Sequence, residues 1–169
     1  SALAVKVPSP EIAAPGVKYR GIFINDEDWG LAPWAKNTLD PEFGNVGPKT
    51  YTKVFELMLR LRLNYIWPAM HGCSTAFGSI PENAALADRY AIVAGASHCE
   101  PMLYNNIKWS AKEKGDWNYL TNRDTIYDIW EQTAKARGTE EAVWTLGIRG
   151  IHDRGMEGPK DIPSRISLV

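Results

Sequence analysis

The chain has 169 residues, 44% hydrophobic and 23% charged, with a formal net charge of -1, which describes one folded domain with a real core and not a disordered segment. So small a charge leaves no electrostatic footprint for nucleic acid or for an anionic membrane surface. The apolar runs are too short to span a bilayer, and no charged start followed by a long apolar core marks a secretory signal.

Two cysteines, Cys73 and Cys99, supply neither a disulfide framework nor a Cys-x-x-Cys metal pair. Aromatic residues reach 11%, with seven Trp and seven Tyr. Such rings fill cores, and they also pack against the flat apolar faces of sugars.

In chain order, residues 1–18 read as an extended linker: Pro8, Pro10 and Pro15 punctuate a stretch with neither helical nor strand period. Tyr19 to Asn25 form a first strand. Residues 31–49 then read as a long polar connection broken by Pro and Gly, and a connection of that length is usually functional. Thr50 opens the clearest helix, with Tyr51, Val54, Phe55, Met58 and Leu61 at three- and four-residue spacing. Asn64 to Ala69 form the second strand, Glu82 to about Tyr90 a short helix, and Ala91 to Ala96 the third strand. A second long loop, from Pro101, leads to a helix over Asn122 to Arg137, closed by Gly138. Ala142 to Arg149 form the fourth strand. Strands alternating with helices predict an α/β fold with a parallel sheet and helical crossovers.

All four strands end in polar clusters, and these hold every histidine of the chain, His71, His98 and His152, with Asp26, Glu27, Asp28, Glu100 and Asp153. In parallel α/β folds that end of the sheet is the ligand face. No Gly-x-Gly-x-x-Gly, Gly-Lys-Ser/Thr phosphate loop, Gly-x-Ser-x-Gly elbow or His-Glu-x-x-His occurs, so nucleotide binding and serine-hydrolase chemistry drop out, and no cofactor is expected. Three readings of the clusters remain. Carboxylates do acid/base chemistry in an aromatic cleft; or His71, His98, His152 and an Asp hold a hydrolytic metal; or the face binds carbohydrate without catalysis.

Four stretches, "YRGIFINDEDWG", "TYTKVFELMLRLRLNYIWPAMH", "SHCEPMLYNN" and "TLGIRGIHDRGM", together resemble glycoside hydrolase family 115, the xylan α-glucuronidases. The resemblance runs from about Tyr19 to about Gly158. It implies an eight-stranded β/α barrel that removes glucuronic or 4-O-methylglucuronic acid from xylan with inversion, in a secreted or periplasmic enzyme. It also implies a domain before the barrel and others after it. A complete barrel takes roughly 200–250 residues, so four strands make residues 19–169 the N-terminal half of a partial TIM barrel. Metal is not expected on this reading. The partners are glucuronoxylan or its oligosaccharides, with self-association through the open sheet edges.

Roles within the cluster follow from chemistry. Asp153 leads as catalytic acid or base, tuned by His152 or Arg149, and Asp26 is second. Inverting glycosidases hold the two carboxyls roughly 6.5–9.5 Å apart. Strands about 4.8 Å apart place the first and fourth roughly 14 Å from one another, so a fifth-strand carboxylate would suit Asp153 better. Glu27 and Asp28 are expected as scaffold. Trp29, Trp34 and Trp67 would shape the sugar site, His98, Glu100, Asn105 and Asn106 would bind hydroxyls, and Arg149, His71 or His152 would meet the substrate carboxylate.

Overall fold

The computed structural model describes residues 13–147 and 149–155. The expected linker is described only from residue 13, and its described part forms neither helix nor strand. The half-barrel expected over residues 19–169 is described only as far as residue 155.

Three short strands, β1 (Gly21–Phe23), β2 (Tyr65–Trp67) and β3 (Val93–Ala94), form an open parallel sheet in sequence order. Gly21 pairs with Tyr65 and Phe23 with Trp67, and Tyr65 pairs in turn with Val93. The first crossover carries α1 (Leu31–Thr38) and α2 (Pro48–Arg60), and the second carries α3 (Pro81–Arg89). After β3 come α4 (Ala111–Lys114) and α5 (Arg123–Arg137). Three parallel strands with helical crossovers are consistent with part of a barrel.

The pleat decides where the core lies. Ile66 points to the helical side and is fully buried with Tyr51, Phe55 and Met58 of α2, which recur at helical spacing. Each such side chain contributes about 1.5–3 kcal/mol through burial. On the opposite face Phe23 meets the Trp67 ring edge-on at 5.2 Å. A Cβ at Gly95 would run into the Tyr65 hydroxyl and the Trp67 ring, so glycine there makes room for these large side chains. Phe23 and Trp67 remain 39% and 37% exposed, so this face is uncovered among the described residues.

Two expectations need correction. No fourth strand forms among the described residues: the segment touches the sheet through one parallel bridge, Ala94 with Ala142, and a Val143 N–H bond to Ala94 O at 3.0 Å. β3 has only two residues to offer as a template, Gly147 at φ 133 breaks extension, and Leu146 is left 76% exposed. The 31–49 connection is also not irregular, since its first half is α1. Its second half is organised by Asp40, fully buried, whose carboxylate accepts the N–H groups of Gly47 (3.1 Å), Lys49 (3.1 Å) and Thr50 (2.8 Å) and the Thr50 hydroxyl (2.5 Å). Asp40 thus caps α2 from a distance, satisfying donors that a helix start leaves unpaired.

Smaller differences follow the same physics. Gly138 does end α5, in a right-handed conformation at φ -64 instead of the left-handed one that favours glycine. Part of the long loop after β3 is helical, and Trp109 and Trp117 pack edge-on at 4.8 Å to give it a small core of its own.

Candidate active site

Each strand hands the chain to a polar segment on one edge of the sheet. After β1, Asp26 adopts a left-handed conformation (φ 52), and Glu27–Trp29 form a single 3-10 turn. The turn carries Glu27 inward to 2% exposure and leaves Trp29 87% exposed. Glu27 Oε1 accepts the backbone N–H of His71 at 2.8 Å. Its Oε2 has no hydrogen-bond partner among the described residues and lies 3.7 Å from His71 Nδ1, a nitrogen that Asp28 Oδ1 also approaches at 3.5 Å. The loop after β1 is thereby fastened to the loop after β2. Tyr51 adds a second fastening from α2, its buried hydroxyl accepting the Ala69 N–H at 3.1 Å.

The last part of the cluster gathers around Asp153. His98 Nε2 lies 2.5 Å from Asp153 Oδ1, His152 Nδ1 lies 2.9 Å from Oδ2, and Arg149 reaches Oδ1 at 3.4 Å. Desolvation pushes this carboxyl up, and the His98 hydrogen bond with the charges of His152, His98 and Arg149 outweighs it, holding Asp153 below the usual carboxylate range. The His152 ring lies 5.8 Å from His71 and 6.5 Å from His98, so the three imidazoles form one row across the strand ends.

Glu100 sits deeper, 4% exposed. Burial pushes its carboxyl up to about 7 against opposing effects of Asn105, a backbone bond at Ser97 and Arg137. Asn105 donates to Glu100 Oε1 at 3.2 Å and to Met70 O at 3.1 Å, tying the loop after β3 to the loop after β2. Asn106, fully buried, accepts the His152 N–H and donates to Gly150 O, both at 3.2 Å. The Cys99 thiol is pushed up to about 11, by burial first, which removes it as a nucleophile.

The structure therefore brings together His71, His98, His152, Arg149 and Asp153, with Asp26 and Asp28 beside His71. Glu100 and Asn106 lie behind that row, Trp67 is on the open sheet face, and Trp29 points away. Sequence reasoning passed over Trp117, whose indole N–H donates to Arg149 O at 2.6 Å and steadies the Asp153 loop from 32 residues away. It also placed Glu27 among the scaffold without seeing its unpaired oxygen. A cleft of about 490 Å³ adjoins the row through His71 and Asn105, lined further by Ser74, Thr75, Tyr104 and Lys108. Of the metal set read from sequence, only His71 and an Asp belong to a group with ligand atoms gathered closely enough among the described residues; His98 and His152 do not join it. Among the described residues the group with ligand atoms close enough for a cation is Asp26, Asp28 and His71.

A parallel α/β sheet with carboxylates and imidazoles gathered at the carboxyl ends of its strands has the layout of an enzyme's ligand face. The family model described as Glycosyl hydrolase family 115 matches residues 13–168, and the chain belongs to that family. Among solved structures, a family GH115 4-O-methyl-alpha-glucuronidase with specificity for decorated arabinogalactans is 44% identical, with a TM-score of 0.82 over 92% of this chain. The match spans 21% of that relative's length. No match was found among curated proteins.

Proposed function

We propose that the chain contributes part of the active site of an inverting α-glucuronidase that removes glucuronic or 4-O-methylglucuronic acid from decorated polysaccharide, glucuronoxylan first. The observation that carries this reading is Asp153, held ionised by His98, His152 and Arg149 on the ligand face of a family 115 chain. An inverting glycosidase needs one carboxylate to activate water and a second, protonated carboxyl to release the leaving oxygen. A carboxyl below the usual range suits the first task. The second carboxyl is Asp26 across the row or one from a further strand of the barrel.

The same row meets the sugar's charge. A uronate carries its own carboxylate, and Arg149 offers a planar pair of N–H donors to it, with His71 and His152 at its sides. Trp67 and Phe23 give an apolar wall. A polymeric substrate that does not cross membranes supports an enzyme outside the cytoplasm, secreted or periplasmic. No described helix is long and apolar enough to cross a membrane.

The test is release of (4-O-methyl)glucuronic acid from decorated xylo-oligosaccharides, with decorated arabinogalactan as second substrate, by the protein and by Asp153→Asn. Release that disappears in the variant is expected, with product of inverted anomeric configuration by NMR. Release undiminished in Asp153→Asn would refute the assignment of Asp153. No release from either substrate by a folded protein containing the whole barrel would refute the function.

A further inference from the structure

The cleft beside the row has a chemistry of its own. Its volume of about 490 Å³ falls within the usual size of small-molecule sites, roughly 300–1,000 Å³. It extends from His71 and Asn105 to Gln132, Thr133 and Arg137 on α5. Hydrogen bonds and stacked rings fix its walls. Asn45, buried, donates to the Thr75 hydroxyl and accepts the Thr75 N–H, both at 3.1 Å. Tyr104 is braced by Trp117, stacked at 6.2 Å, and by Trp109, edge-on at 6.3 Å.

The charge of the lining is one-sided. Hydroxyls and amides line the cleft, and among the described residues no Asp or Glu does. Of its two permanent cations, Arg137 is engaged elsewhere, its Nη2 and Nε donating to Glu140 at 2.7 and 3.0 Å. Lys108 is exposed, and its ammonium reaches only Ser74 O, at 3.4 Å, with no carboxylate paired to it among the described residues. A solitary surface lysine is ordinary. One that lines an acid-free, hydroxyl-rich cleft opening onto the uronate row favours an anionic sugar there.

We infer that this cleft receives the polysaccharide on the leaving-group side of the scissile bond, with Lys108 binding a second uronate on that chain. The inference rests on the glucuronidase reading and names the polymer it favours, one that is densely decorated. Cleaving a uronate substituent leaves the polymer as the other product. That polymer has to pass out of the row, and the cleft is continuous with the row through His71 and Asn105. A uronate neighbouring the cleaved one enters the cleft with its carboxylate, and the ammonium meets it in a charge-assisted hydrogen bond. Lysine suits this task as a mobile point charge that demands no fixed orientation of its partner. Lys108 sets specificity and takes no part in bond cleavage.

The test measures binding and needs no turnover. Xylo-oligosaccharides carrying one or two thio-linked glucuronates, which resist hydrolysis, are titrated into the protein by calorimetry, with amide resonances followed by NMR. The two-uronate ligand is expected to bind about threefold to fivefold tighter at low salt. High salt should erase that advantage, and so should Lys108→Gln, while Lys53→Gln, at an exposed lysine on α2, should keep it. In the wild type, resonances of residues 74–75, 107–108 and 132–133 should shift further with the second uronate, which locates it even if a variant fails to fold. Equal binding of the two ligands, an advantage that survives Lys108→Gln, or no binding of either overturns the inference. Selective binding without release in the assay above would uphold the acidic-sugar cleft and refute the glucuronidase reading.

Discussion

Glu100 gives a sharp test of the site's electrostatics. Burial raises its carboxyl to about 7 in the fold, from an ordinary value of 4.5. Between those values the folded state binds the proton that the unfolded state has released. Stability therefore falls as pH rises from about 4.5 to about 7 and is level beyond. A shift of that size is worth about 3 kcal/mol at pH 8. Glu100→Gln keeps an oxygen to accept the Asn105 bond and removes the ionisation. Urea unfolding of both proteins from pH 5 to pH 8 should give nearly equal stabilities at the acid end. At pH 8 the variant should be the more stable, by up to about 3 kcal/mol. Groups common to both proteins cancel in the difference. Parallel curves across the range would show that Glu100 is solvated, and the reasoning from its burial would fail.

Two further outcomes test the fold. Asp40→Ala leaves three backbone N–H groups and a hydroxyl without their acceptor, so a loss of about 3 kcal/mol is expected in urea unfolding; a loss below about 1 kcal/mol would refute the capping role. The aromatic face and the outer edge of β1, both open among the described residues, should make this chain associate. A monomer by light scattering, unchanged over a wide concentration range, would contradict that.

What the sequence disclosed and what it hid divide along physical lines. The parallel order of strands and the α2 face were readable because periodicity is local: Tyr51, Phe55 and Met58 announce a buried stripe in any context. α1 was hidden because "LAPWAKNT" is only eight residues long, carries a proline in its first turn and starts with no side-chain cap hydrogen bond. Asp40 was hidden for a different reason. Its partners lie seven to ten residues ahead, beyond the reach of a capping-box pattern. The fourth strand was over-read, since apolar alternation states what a segment can pair with and β3 offers two residues to pair.

The stretch "NDEDWG" shows how neighbouring acids take different work. A 3-10 turn has three residues per turn, so successive side chains leave the axis about 120° apart. Glu27, Asp28 and Trp29 therefore cannot share a pocket: one faces the interior, one flanks His71, and one faces solvent. Asp26 stands outside the turn, and its left-handed backbone begins that rotation. Composition reports three adjacent carboxylates without direction, and the turn supplies it. Glu27, one of the two acids that sequence reasoning assigned to scaffold, is thus the most buried of the three, with one oxygen lacking a hydrogen-bond partner among the described residues. Adjacent acids at a strand end are best read by the turn that follows: where it is 3-10, the inward member carries the electrostatic cost and points to its compensation.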